Sequence, residues 1–155
     1  MFVEASIITL VAPALSLRHI MNHPSAHGSC LCGAVQFTAK LPSKWVAHCH
    51  CTRCQRAHGA PFVTWAGFEA SAVEVQDAQA ALRWFAAPQG GSRGFCGVCG
   101  SPMFFKSERW AGELHIARAL FLDALDREPQ ALVYYDTHVP WVALHDALPK
   151  KSSES

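Results

Sequence analysis

From residue 28 onward, apolar and polar positions alternate over short stretches separated by Gly, Pro, Ser and Asp, which is the pattern of half-buried strands joined by tight turns. Residues 33–39 show it most clearly: Val35 and Phe37 oppose Gln36 and Thr38, and Leu41-Pro42-Ser43 ends the run. The same reading predicts strands over 45–50, 61–68, 73–75, 82–85, 102–106, 113–119 and 132–135. It predicts a helical turn over 120–125, and turns at 90–92 and 96–100, where glycines let the backbone fold back tightly. No internal repeat of solenoid period is present, and the expected fold class is mainly β.

The two ends read differently. Residues 7–17 are apolar but broken by Thr9, Pro13 and Ser16, and they fall short of the roughly 20 residues a membrane-spanning helix needs. A signal peptide would need a positive start and small residues before cleavage, whereas Glu4 lies near the start and Arg18 and His19 follow the apolar run. We therefore expect no membrane association, no export and a cytoplasmic location. Met21 offers a second start just before the patterned region. The expected division is an N-terminal extension over 1–27, one domain over 28–149 and a disordered polar tail over 150–155.

Composition narrows the class. A length of 155 residues suits one domain. The chain is 50% hydrophobic and 16% charged; soluble domains carry about 25% charged residues, so disorder of the whole chain is excluded. Thirteen Lys and Arg against twelve Asp and Glu leave a net charge of +1 without a basic cluster, so nucleic acid is not an expected partner.

The chemistry lies in seven cysteines grouped as Cys30/Cys32, Cys49/Cys51/Cys54 and Cys96/Cys99. Their odd number and the adequate apolar core argue against a disulfide framework. Thiolates close in sequence converge on a soft-binding cation, and zinc is the expected metal, with an iron–sulfur cluster as its rival. On an extended strand residues i and i+2 share a face, so Cys30 with Cys32, and Cys49 with Cys51, are each predicted to grip one ion. Adding Cys96 and Cys99 to Cys30 and Cys32 completes a closed, structural site. Cys49, Cys51 and Cys54 remain as three ligands, which leave a fourth position for water or substrate. His48 and His50 alternate with these cysteines and should face away. His58, four residues after Cys54, is expected near the metal without ligating it, placed to exchange a proton; closure of the site by His58 is the alternative.

Gly28-Ser-Cys-Leu-Cys-Gly-Ala-Val35, Cys49-His-Cys-Thr-Arg-Cys-Gln-Arg-Ala-His-Gly59, Phe95-Cys-Gly-Val-Cys-Gly-Ser-Pro102 and Pro140-Trp141 resemble the motifs of the glutathione-dependent formaldehyde-activating enzyme family, which also contains centromere protein V. The likeness runs from about residue 28 to 149. It implies a β-tent (Mss-four-like) fold of short coiled antiparallel sheets, a structural zinc on Cys30, Cys32, Cys96 and Cys99, and a second zinc on Cys49, Cys51 and Cys54. The implied activity is that of a carbon–sulfur lyase acting on a thiol adduct such as S-hydroxymethylglutathione, with a small-molecule thiol, glutathione among them, as partner. Arg53 and Arg56 are candidates to attract its carboxylates, and Phe62, Trp65 and Phe68 to wall its pocket. The chain departs from similar members at Leu132, three residues after Pro129, where they often carry a histidine; His115 or His138 would have to replace it. A non-catalytic, zinc-stabilised protein-binding module is the alternative function.

Overall fold

The structure, a computed structural model, describes residues 24–88, 90–144 and 147–153. The expectations for residues 1–20 and for Met21 lie outside the described residues. Strand β1 (Ser25–Ser29) pairs antiparallel with β2 (Gln36–Lys40), which pairs with β5 (Val73–Gln76) in a three-stranded sheet. The larger sheet contains β3 (Trp45–Cys49), β4 (Val63–Glu69), β6 (Leu82–Ala86), β7 (Ser92–Cys96), β8 (Pro102–Lys106), β9 (Glu113–Ala117), β10 (Leu132–Val133) and β11 (Lys150–Lys151). Its spatial order is β11-β10-β3-β4-β9-β8-β7-β6. All pairs are antiparallel except those of β10, which runs parallel to both β3 and β11. One short helix, α1 (Thr52–His58), follows β3. The fold is mainly β, as the alternating pattern requires.

Alternation gives the large sheet two apolar faces. Val46, Ala66, Phe68, Phe104, Leu114 and Ile116 pack against Val35, Phe37 and Ala39 of the small sheet, forming the main core. Phe37 meets Phe104 edge-on at 5.6 Å between ring centroids. The opposite face carries Trp45, Cys49, Val63, Trp65, Phe105 and Ala117, in a smaller cluster that also takes in Cys54 of α1. On this face the pairing register lines up Phe85, Arg93, Phe105, His115, Gly67 and Trp45 across β6, β7, β8, β9, β4 and β3. Gly67 is required there: a Cβ would stand 2.3 Å from the Trp45 indole, which lies across the strand at that point.

Several expectations are corrected. No strand is expected between the turns at 90–92 and 96–100, yet β7 fills this stretch, and Gly94 at its centre admits Phe104 and Trp84, each 3.1 Å from where its Cβ would be. Only residues 118–120 form the helical turn expected over 120–125. β1 begins at Ser25, inside the stretch read as an extension. Lys150 and Lys151, expected in a disordered tail, form β11, and Ser153 donates through its N–H to Asp136 Oδ1 at 2.9 Å. The reason is long-range: the Leu132 N–H donates to the Pro149 carbonyl at 2.9 Å, and Lys150 Nζ stands 4.6 Å over the Tyr135 ring.

Candidate metal centres

The first cysteine cluster joins two turns. Cys30 and Cys32 sit on the turn between β1 and β2, not on an extended strand, and Gly33 turns the chain with φ +75°. The Cys30 backbone N–H donates to the Val35 carbonyl at 2.9 Å, while the Val35 N–H donates to Cys30 Sγ at 3.3 Å. Cys96 ends β7 and Cys99 lies in the turn to β8, closed by Gly100 with φ +76°. Sγ of Cys32 is 3.6 Å from that of Cys30 and 3.8 Å from that of Cys96, and all four sulfurs lie within 4.8 Å of one another. Hydrogen bonds from Ser101 hold the Cys99 thiol down to about 5, so this edge of the cluster is readily ionised.

The second cluster is built at the junction of β3 and α1. Cys49 is the last residue of β3, and Cys51 leaves the strand to cap α1, its sulfur accepting from the Cys54 N–H at 3.3 Å. Capping by a sulfur acceptor thus turns two thiols inward while starting the helix that carries the third. Gly59, with φ +59°, ends α1 immediately after His58. The three sulfurs lie within 4.8 Å of one another, and among the described residues no further His, Cys, Asp or Glu joins them. Hydrogen bonds from the Cys49 and Cys51 thiols draw Cys54 down to about 2, with help from the Trp65 side chain and the Arg93 charge. The same sharing, together with burial, pushes Cys49 up. Three thiols this close keep one negative charge between them; ionising all three calls for a cation in their midst. Both donor sets therefore fit a thiophilic metal ion, and all seven cysteines carry free thiols.

The second cluster lies among aromatic and basic groups. Trp65 is buried beside it, with the His58 ring perpendicular at 5.2 Å. Burial holds His58 below the usual histidine range. Arg93 Nη2 reaches Cys54 Sγ at 3.7 Å, and its Cζ lies 5.0 Å from the Phe105 centroid. His115 is buried against Trp45, Phe105 and Trp110, and its Nε2 is 3.1 Å from Glu113 Oε2. Glu113 also accepts from Trp45 Nε1 at 3.2 Å and pairs with Lys44 at 2.8 Å. Tyr134, with an unusual φ of +55°, packs on the cluster, and Arg109 Nη1 donates to its hydroxyl at 3.4 Å.

Of the residues singled out from sequence, Trp65 and His58 stand at this cluster. His48 faces away, as expected, with Nδ1 2.8 Å from Thr64 Oγ1. His50 packs with Phe62 and Tyr135. Phe62 thus serves the histidines, and Phe68 is buried in the main core, so neither walls the cluster. Arg53 and Arg56 are exposed on α1. Leu132 is fully buried on β10 opposite His48. Of its proposed substitutes, His138 stacks on Tyr135 at 4.3 Å, whereas His115 is on the cluster's face of the sheet. Arg93 and Phe105 carry no sequence signal of their own, because strand register alone brings them to the site, and Tyr134 reaches it from the turn that follows β10. No described helix is long and apolar enough to cross a membrane.

A mainly β fold that gathers seven thiols into a four-cysteine and a three-cysteine cluster defines a small protein organised around candidate metal centres. The chain belongs to the glutathione-dependent formaldehyde-activating enzyme family, which matches it over residues 25–137. A crystal structure of a Rhodobacter sphaeroides protein, solved as a structural genomics target, is similar in fold: TM-score 0.54 at 22% identity, covering 65% of this chain and 92% of that one. Comparison with curated proteins finds no match.

Proposed function

We propose that the protein is a zinc-dependent carbon–sulfur lyase acting on a thiol adduct of the S-hydroxymethylglutathione kind. The observation that carries this reading is the three-cysteine cluster without a fourth protein ligand among the described residues. Cys30, Cys32, Cys96 and Cys99 would hold a structural zinc, and Cys49, Cys51 and Cys54 the reactive one. Bound there, zinc supplies an open position that favours the thiolate form of a substrate sulfur. Family membership supports the reaction class.

The residues of the chain supply the rest. In the cleavage direction the adduct's C–S bond breaks, the sulfur keeps the bonding pair, and the hydroxyl oxygen forms the aldehyde C=O as it gives up its proton. His58, kept neutral by burial, accepts that proton; in the addition direction it returns it. Trp65 fixes the ring by its perpendicular contact. Free thiols as ligands suit a reducing compartment such as the cytoplasm.

The test is to replace His58 by Ala and by Asn and to measure zinc content beside thiol-dependent turnover. Two zinc ions per chain with turnover lost would support the proton role; loss of one zinc would make His58 a ligand, and unchanged turnover would overturn the assignment. A second reading, a zinc-stabilised protein-binding module, is favoured by Leu31 and Val98, which are 87% and 68% exposed beside the four-cysteine cluster. Leu31→Ser with Val98→Ser would then abolish partner binding, while the lyase reading leaves turnover intact.

A further inference from the structure

The guanidinium of Arg93 is only partly used. Nη2 touches Cys54 Sγ at 3.7 Å, and Cζ stands 5.0 Å over the Phe105 ring. Nη1 is buried and has no hydrogen-bond partner. Among the described residues no carboxylate lies within ion-pair distance of Arg93, whereas Lys44, Arg118 and Arg127 all have one. A buried cationic donor without a partner is costly, and its persistence calls for a role. Phe105 and Cys54 both contact the group, so the guanidinium is held at the cluster while Nη1 stays unpaired.

We propose that Arg93 determines specificity by receiving a carboxylate of the thiol that binds at the three-cysteine cluster. The inference rests on the reading of that cluster as a thiol site and adds the substrate class: short thiols bearing an anionic oxygen group. One end of the guanidinium faces the sulfur ligands and the other takes the carboxylate, so sulfur and carboxylate are recognised together. Arg53 and Arg56, by contrast, are exposed on α1.

The test uses the full chain loaded with cobalt(II) in place of zinc, whose visible bands report a thiol entering the metal's coordination. Mercaptopropionate and the uncharged mercaptopropanol are titrated into the wild type, Arg93→Gln and Arg93→Lys. Wild type should bind the carboxylate thiol about tenfold more tightly, a charge-assisted hydrogen bond's worth. Arg93→Gln should remove the preference and Arg93→Lys keep part of it. This ratio is read within each loaded variant, so weaker metal retention does not mimic it. Equal affinities in wild type, or an undiminished preference in Arg93→Gln, would overturn the role of Arg93 and leave the thiol site standing. Bands that respond to neither thiol would overturn both.

Discussion

At Gly67 one hydrogen in place of a methyl decides how the cluster-bearing face is covered. Trp45 lies across this position, donates to Glu113 and meets His115 edge-on at 4.7 Å. Gly67→Ala would drive a Cβ into the indole, and overpacking of this kind costs about 1–3 kcal/mol. Denaturant unfolding should register that loss, together with a changed tryptophan emission. The cysteines set a second residue-scale outcome. Because Cys49 and Cys51 are raised and Cys54 is low, the metal-free cluster holds protons that a cation must displace. Metal affinity at this cluster should therefore fall as pH falls; chelator competition at pH 8 and pH 6.5 measures it, and a flat profile would contradict the charge sharing described.

Strand β9 sets the pH response of the fold. Burial lowers His115 below its ordinary value. The unfolded chain then binds the proton more readily, and the stabilising effect of neutral His115 is fully present above the unfolded value of about 6.5 and is lost as pH falls toward the folded one. Burial of His58 acts in the same direction. Melting temperature should drop between pH 7 and pH 5.5, and His115→Gln should flatten that drop; an unchanged slope would remove His115 from the account. The elements also divide by legibility. β3, β8 and β9 fall within predicted runs, and β2, β4, β5 and β6 overrun theirs by one residue, because their apolar and β-branched or aromatic side chains mark strand whether or not a whole face is buried. β7, lying between two expected turns, is not marked by the pattern, since Gly94 at its centre meets a packing need that no side chain signals. β10 and β11 are two residues each, too short for any period. The cysteine partition was legible from spacing, but Cys51 reaches its place by capping α1. Arg93 was not legible, because its position opposite Phe105 is a property of register.

In the whole molecule the two cysteine clusters have different mechanical positions. Cys30 and Cys32 belong to a turn of the small sheet, and Cys96 and Cys99 to a turn of the large one, so the first cluster ties the sheets together next to the main core. Cys32 and Cys96 are separated by 64 residues, and a cation held between them would close that long loop. The second cluster draws on β3 and α1, neighbours in sequence, and contributes to the smaller apolar cluster. Removing one cysteine from each cluster should thus have unequal consequences. Cys96→Ala, at a fully buried position, should cost more than about 3 kcal/mol, because the inter-sheet tie fails along with the packing. Cys54→Ala should cost about 1–2 kcal/mol, the loss of one buried sulfur from a local cluster. Urea unfolding of both variants beside the wild type, each with and without a chelator, gives the comparison. Chelator should bring the wild type down toward Cys96→Ala and leave that variant nearly unchanged. Equal losses for the two variants would mean that the four-cysteine cluster is not the tie between the sheets, and that the main core alone holds them together.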